Sequence, residues 1–237
     1  MTVSEISRLF FTDGWLQALA QGMVKTLGIS LGAFVLGLSI GLIVAMVKLK
    51  GPRWMVVCAN CYTTLYRAVP ELLLILLLYY AGADLINLTM AALGQPSVEI
   101  NGFMAAVVVL GIVQGAYSGE IIRGAIESIP HGQIEAARSY GINRLMLVRR
   151  VILPSMLPFA IAGLSNLWLV LVKESALISV VGYSELLTAG RQAAASTKHY
   201  LLFYLAVAAF YYLITLVSSS VFRQVEVRFE RWMPRHS

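Results

Sequence analysis

Residues 26–47 read TLGISLGAFVLGLSIGLIVAMV, twenty-two positions without one charged side chain. A helix of that length rises about 33 Å, enough to cross the roughly 30 Å hydrocarbon core of a bilayer. Gly28/Gly32 and Gly37/Gly41 fall four apart on a helical face, a spacing that lets membrane helices approach closely. Upstream, the first 25 residues hold Glu5, Arg8, Asp13 and Lys25 but no apolar signal core. The block that follows is too long for a signal-peptide core and lacks a clear small-residue cleavage site, so it is expected to be a retained helix. Downstream, Lys48, Lys50 and Arg53 surround a Gly51-Pro52 turn.

The same reading extends along the chain. Apolar blocks recur at 55–82, 103–122, 156–172 and 200–221. The 237 residues are 59% hydrophobic and 13% charged, against about 25% charged in a soluble domain. Mean hydropathy is +0.78. The expected fold class is therefore an all-α integral membrane protein of about five transmembrane helices, forming a single domain over residues 1–237. The second block is long for one crossing and has Pro70 near its centre, so a helix broken within the membrane is expected there. Residues 83–100 are mixed, residues 123–155 form a long polar loop, and residues 173–198 alternate short apolar and polar runs.

The positive charge is unevenly placed. Lys48, Lys50 and Arg53 follow span one. Arg123, Arg138, Arg144, Arg149 and Arg150 lie between spans three and four, and Arg223, Arg228, Arg231 and Arg235 form the tail. With five spans all twelve share one side. The other side has Arg8, Lys25, Lys173, Arg191 and Lys198, and Arg67 lies inside. The positive-inside rule then predicts the N-terminus out and the C-terminus in. It also accounts for the net charge of +6 without nucleic acid. Cys58 and Cys61 form a C-x-x-C, but a zinc site needs two further ligands, and the histidines are distant. No metal site is expected, and both cysteines read as small buried side chains.

The polar loop holds the most specific pattern. Pro130-His131-Gly132-Gln133-Ile134-Glu135-Ala136-Ala137-Arg138-Ser139-Tyr140-Gly141 runs on to Val151-Ile152-Leu153-Pro154. Residues 133–140 read as a short helix ended by Gly141 at its C′ position. Ala136 and Ala137 would let another surface sit close. Glu-Ala-Ala, three residues, Gly, nine residues, a branched aliphatic, one residue and Leu-Pro resembles the coupling-loop signature of ATP-binding-cassette (ABC) importer permeases. Val151 stands where that family more often has Ile.

The resemblance covers nearly the whole chain. Residues 62–71 (YTTLYRAVPE) with Tyr79-Tyr80 resemble the second span of polar-amino-acid permeases. Gly115-Ala116-Tyr117, Glu120 and Arg123-Gly124-Ala125 resemble their third span, and Leu171-Val172-Lys173 with Ser175-Ala176-Leu177 resembles the stretch after their fourth. Glu174 departs from the Ala or Thr common there. The acidic residue after Pro70 resembles the Q-type subunit of histidine, lysine–arginine–ornithine or opine uptake systems.

This resemblance implies a type I importer permease fold in a bacterial inner (plasma) membrane, moving amino acids, basic ones foremost (histidine, arginine, lysine, ornithine), or opines. It implies coupling to a separate ATPase dimer through residues 131–154, with Gly132, Glu135, Ala136, Ala137, Gly141, Leu153 and Pro154 at the contact. An extracytoplasmic substrate-binding protein is implied too. Five spans rarely enclose a path alone, so a related M-type permease or a homodimer mate is expected. No P-loop G-x-x-x-x-G-K-[ST] occurs, so this chain is not expected to be an enzyme or to hold a cofactor. ATP and magnesium would sit on the partner.

Ionisable groups inside a membrane are functional hypotheses by default. Glu71 is the first candidate for holding a cationic substrate, and Arg67 is a second substrate-binding candidate four residues before it. It would also suit a helix first turn or a pair with Arg67. Glu120 and Arg123 read as an interfacial ion pair, with substrate contact by Glu120 as a second reading. Asn166 suits a substrate or a neighbouring helix. Tyr79 and Tyr80 suit the membrane interface, and Tyr79 is also a substrate candidate. Lys173 and Glu174 read as snorkelling residues or an outer gate. The competing function is an ion-gradient-driven carrier, which would usually show two related halves. No internal repeat is evident.

Overall fold

The computed structural model describes residues 3–99 and 101–230. Arg231, Arg235 and His236 of the basic tail lie outside the described residues. The chain forms α1 (Val3–Ser7), α2 (Trp15–Lys50), α3 (Arg53–Ala68), α4 (Glu71–Ala92), α5 (Gly102–Glu127), α6 (His131–Ser139), α7 (Arg144–Leu147), α8 (Leu153–Glu174), α9 (Leu186–Thr197) and α10 (Tyr200–Glu230). Five segments are long and apolar enough to cross a membrane: Trp15–Lys50, Glu71–Ala92, Gly102–Glu127, Arg144–Val181 and Tyr200–Phe229.

The α2–α5 pair is the centre of the fold. Gly28 faces Phe103, Gly32 faces Val107, Gly37 faces Gln114 and Gly41 faces Ser118. Numbers rise together on both helices, so the two run parallel. The contact is reciprocal, because Gly111, Gly115 and Gly119 receive Leu36, Ile40 and Val44. Small residues on each helix thus form the sockets for larger residues on the other, as close packing in lipid requires. α8 runs the opposite way along α5. Gln114 Nε2 donates to the Leu167 carbonyl at 3.4 Å, and Gly163 packs against Ile121.

The stretch expected as one broken span at 55–82 is two helices. Val69 is extended (φ −94°, ψ 140°), as the residue before a proline prefers, and α4 starts afresh at Glu71. α3 leans on the central pair through Ala59 and Thr63. Cys58 and Cys61 are exposed on its other face, which corrects the expectation of burial. One face of α3 is covered by this chain, and the two cysteines share the uncovered one.

The irregular segment at 173–198 resolves into a 3₁₀ helix, Ser175–Val181, and α9. Glu185 holds α9 in place. Its fully buried carboxylate accepts from Leu187 N at 2.8 Å and Thr188 N at 2.9 Å. It also accepts from Tyr211 Oη at 3.1 Å and Thr26 Oγ1 at 3.3 Å. A buried charge is tolerated when its lone pairs are satisfied in this way, and here the donors join α2, α9 and α10.

Candidate functional site

Two places combine polar chemistry with a distinctive position. The first is α6. Its C-terminus closes with Gly141 left-handed at φ +71°. Gly141 N donates to the Arg138 carbonyl at 2.9 Å and Ile142 N to the Ala137 carbonyl at 3.4 Å. These are the two bonds of a Schellman motif. Ile134 and the buried Ala137 anchor the helix, Ile134 packing on the cluster that contains Met156, Ala125 and Ile129. Ser155 Oγ donates to Gln133 Oε1 at 3.4 Å. Gly132, Glu135, Ala136, Arg138 and Tyr140 remain exposed. α6 is therefore a short projection, closed at its C-terminus, whose outer face mixes the small Gly132 and Ala136 with Glu135, Arg138 and Tyr140, while Ala137, expected at the contact, faces inward. Leu153 and Pro154 open α8 beneath it, where a π-helical turn, Val148–Ile152, leads into the proline that lacks an N–H.

The second place lies where α3 breaks. Tyr117 Oη, from the interior of α5, donates to Glu71 Oε1 at 3.2 Å. Glu174, at the end of α8, brings its carboxyl within hydrogen-bonding reach of Glu71. Arg67 lies close enough to act electrostatically on Tyr117. Among the described residues no ion pair holds either Glu71 or Glu174. Two carboxyl groups thus meet inside the membrane segments beside a single phenol. Opposite charge is what such a pair needs, since like charges at close range oppose each other's ionisation.

The other candidates are dispersed. Tyr79 sits about two turns further along α4, half-buried against the cluster of Ile29, Ala33 and Ile75, with its ring edge-on to Tyr80. Asn166 is on the uncovered face of α8, as is Lys173 two turns on. Glu120 faces a different group of residues: Lys48 Nζ donates to Glu120 Oε1, and Arg123 Nη2 to Glu120 Oε2 at 2.8 Å. Both oxygens are engaged. Sequence reasoning placed Lys48 only in the charge count and did not pair Glu174 with Glu71. Their partners lie 72 and 103 positions away in the chain, out of reach of any local pattern.

The chain matches, over residues 13–231, the family described as "Binding-protein-dependent transport system inner membrane component". The chain belongs to this family. Its relatives agree along almost their whole length. The octopine transport system permease protein OccQ of Rhizobium radiobacter is 36% identical over 227 residues, covering 95% of this chain and 96% of the relative. The histidine/lysine/arginine/ornithine transport system permease protein HisQ of Escherichia coli (strain K12) is 35% identical over 216 residues, covering 91% and 95%. A crystal structure of an amino acid ABC transporter with histidines superposes with a TM-score of 0.78 at 31% identity, covering 96% of this chain and all of the other.

This permease is thus an inner-membrane translocation subunit of an ABC importer. Membership implies an ATPase and a binding protein as partners. It also removes the support for an ion-gradient-driven carrier.

Proposed function

We propose that this permease moves a cationic amino acid or an opine, and that Glu71 and Glu174 together receive its positive group. The observation that carries this reading is the meeting of those two carboxyls, without an ion pair, at the break between α3 and α4. Transporter sites are commonly built where a membrane helix is interrupted. The substrates named for OccQ and HisQ share an amine, imidazole or guanidine that such a pair suits. Arg67, which acts electrostatically on Tyr117, is assigned to the substrate carboxylate, Tyr117 orients Glu71, and Asn166 on the uncovered face of α8 is assigned to a neighbouring helix. Tyr79 serves as packing behind the site, and Glu120 belongs to the coupling side.

ATP hydrolysis is assigned to a separate ATPase dimer, which also carries the nucleotide and magnesium. α6 is the part of this chain that seats in it, with Glu135, Ala136 and Tyr140 outermost, and Gly132 and Gly141 at its ends. The N-terminus faces out and the C-terminus in. The convergence of Lys48 and Arg123 on Glu120 supports placing the ends of α2 and α5 on one side. A second permease, either an M-type relative or a copy of this chain, completes the path. The uncovered faces carrying Asn166, Lys173 and Arg67 support that partner, because polar groups do not face lipid tails without cost.

The test is uptake by the reconstituted importer with Glu71→Gln and, separately, Glu174→Gln. Removing one partner of a desolvated charge contact costs a few kcal/mol, so uptake of arginine or histidine is expected to fall about 30-fold. Assembly with the ATPase should persist. Unchanged affinity and rate in both variants would sink the assignment.

A further inference from the structure

We propose that Lys48 is a positioning residue that ties the coupling segment to the substrate site, at the head of a ladder of ion pairs running Lys48–Glu120–Arg123–Glu127. The inference rests on the readings of α6 as the ATPase-contacting helix and of Glu71 as part of the substrate site.

The ladder is continuous. Lys48 Nζ, in the last turn of α2, donates to Glu120 Oε1 on α5 and to Thr63 Oγ1 on α3, the latter at 2.6 Å. The second Glu120 oxygen accepts from Arg123 Nη2 at 2.8 Å and Nε at 3.1 Å. Arg123 Nη1 donates to Glu127 Oε2 at 2.6 Å. Side-chain exposure rises in steps along it, 6% at Lys48, 18% at Glu120, 33% at Arg123 and 51% at Glu127. The four charges alternate and sum to zero, so the ladder is electrically closed from the protein interior to its surface.

Its two ends give it a role. Glu127 is the last residue of α5, and only Ser128, the buried Ile129 and Pro130 separate it from α6. The other end reaches three helices at once, because Lys48 belongs to α2 and grips α5 and α3. From Thr63, α3 continues to Ala68, and the break at Val69–Pro70 leads directly to Glu71. A displacement of α6 therefore has a polar path through α5 and Lys48 into α3, and so to the start of α4. Without Lys48, the remaining polar tie from α3 to α5 among the described residues is the Tyr62 hydroxyl on the Ile112 carbonyl. A buried ion pair is weak evidence for stability, since apolar residues of equal volume usually serve as well, and its best attested use is to set register or switch states. Coupling between the two ends is read directly as solute moved per ATP hydrolysed.

That measurement uses the complete importer, with ATPase and binding protein, in liposomes. Solute moved and ATP hydrolysed are recorded together for Lys48→Met, Thr63→Val and Lys48→Arg. Lys48→Met removes the charge at similar length and leaves Glu120 paired with Arg123. Thr63→Val keeps every ion pair and cuts the Lys48 link to α3, losing besides it only the bond from Thr63 Oγ1 to the Asn60 carbonyl within α3. In both, solute moved per ATP should fall about fivefold or more, while the ATPase still co-purifies and its hydrolysis rate changes less than about twofold. Lys48→Arg should restore the wild-type ratio.

A ratio unchanged in both variants, or uptake and hydrolysis falling in the same proportion, would overturn the proposal. Thr63→Val decides the matter if Lys48→Met fails to fold. If no ATPase co-purifies even with the wild-type chain, it is the reading of α6 that fails.

Discussion

α5 and α4 are both apolar helices of membrane-spanning length, yet they live in opposite surroundings. In the most apolar window of α5, 61% of residues are buried within the chain, against 11% in α4. α5 is gripped by α2 through glycines on both helices and contacts α8 and α3 as well. α4 buries only Leu74 and Ile75. Their charges differ in the same sense. Glu120 on α5 is neutralised on both oxygens, whereas Glu71 on α4 meets a second carboxyl and a phenol. One helix is a frame whose polar groups are already satisfied. The other is held loosely at its far end and presents at its near end a carboxyl that no ion pair among the described residues engages.

The sharpest way to break this contrast is to put a side chain into the frame. A Cβ at Gly41 would stand 2.5 Å from Ser118 Cβ and 2.8 Å from Gly119 N. Backbone cannot yield as a rotamer can, so Gly41→Leu should cost about 3 kcal/mol or more. Fluorescence-detected size exclusion should then show most of the folded permease lost. Gly124→Ala, on the same α5 but with open space around it, should give wild-type yield. Equal losses in the two would mean that helix composition, not the α2 contact, makes α5 a frame.

A smaller effect separates the two faces of α4. Ile75 is 1% exposed and Leu77 is 55% exposed. Ile75→Ala should destabilise by about 2–4 kcal/mol, seen as a lowered unfolding temperature in detergent. Leu77→Ala should change stability by less than about 0.5 kcal/mol. A large loss at Leu77 in the isolated chain would show that α4 is held by more than its single buried strip.

Least affected should be the exposed cysteines of α3. Cys58→Ser with Cys61→Ser should leave unfolding temperature and uptake at wild-type values, within about 0.5 kcal/mol for stability. A clear loss of uptake with unchanged stability would point to a partner surface that needs these thiols.

The features that were legible in the sequence are local ones. The five apolar segments, the break at Pro70, the helix at the Glu-Ala-Ala stretch and its glycine terminus all depend on composition or on residues a few positions apart. Gly28, Gly32, Gly37 and Gly41 were visible as a packing face for the same reason. What they pack against was not, because Phe103, Val107, Gln114 and Ser118 come more than seventy residues later. The burial of Cys58 and Cys61 was misjudged because an amphipathic stretch in a membrane protein does not announce which face its own chain will cover.

The sequence by itself determined that this chain crosses a membrane as helices, where its positive charge collects, and which short motif projects from it. Those properties follow from transfer of side chains into hydrocarbon and from backbone preference, and both act residue by residue. Only the tertiary structure decided that Glu174 joins Glu71, that Lys48 satisfies Glu120 and Thr63, and that Glu185 binds α2, α9 and α10 together. An unpaired charge in a low-dielectric interior takes its meaning from whatever lies within a few ångströms of it, and that neighbourhood exists only once the helices have packed.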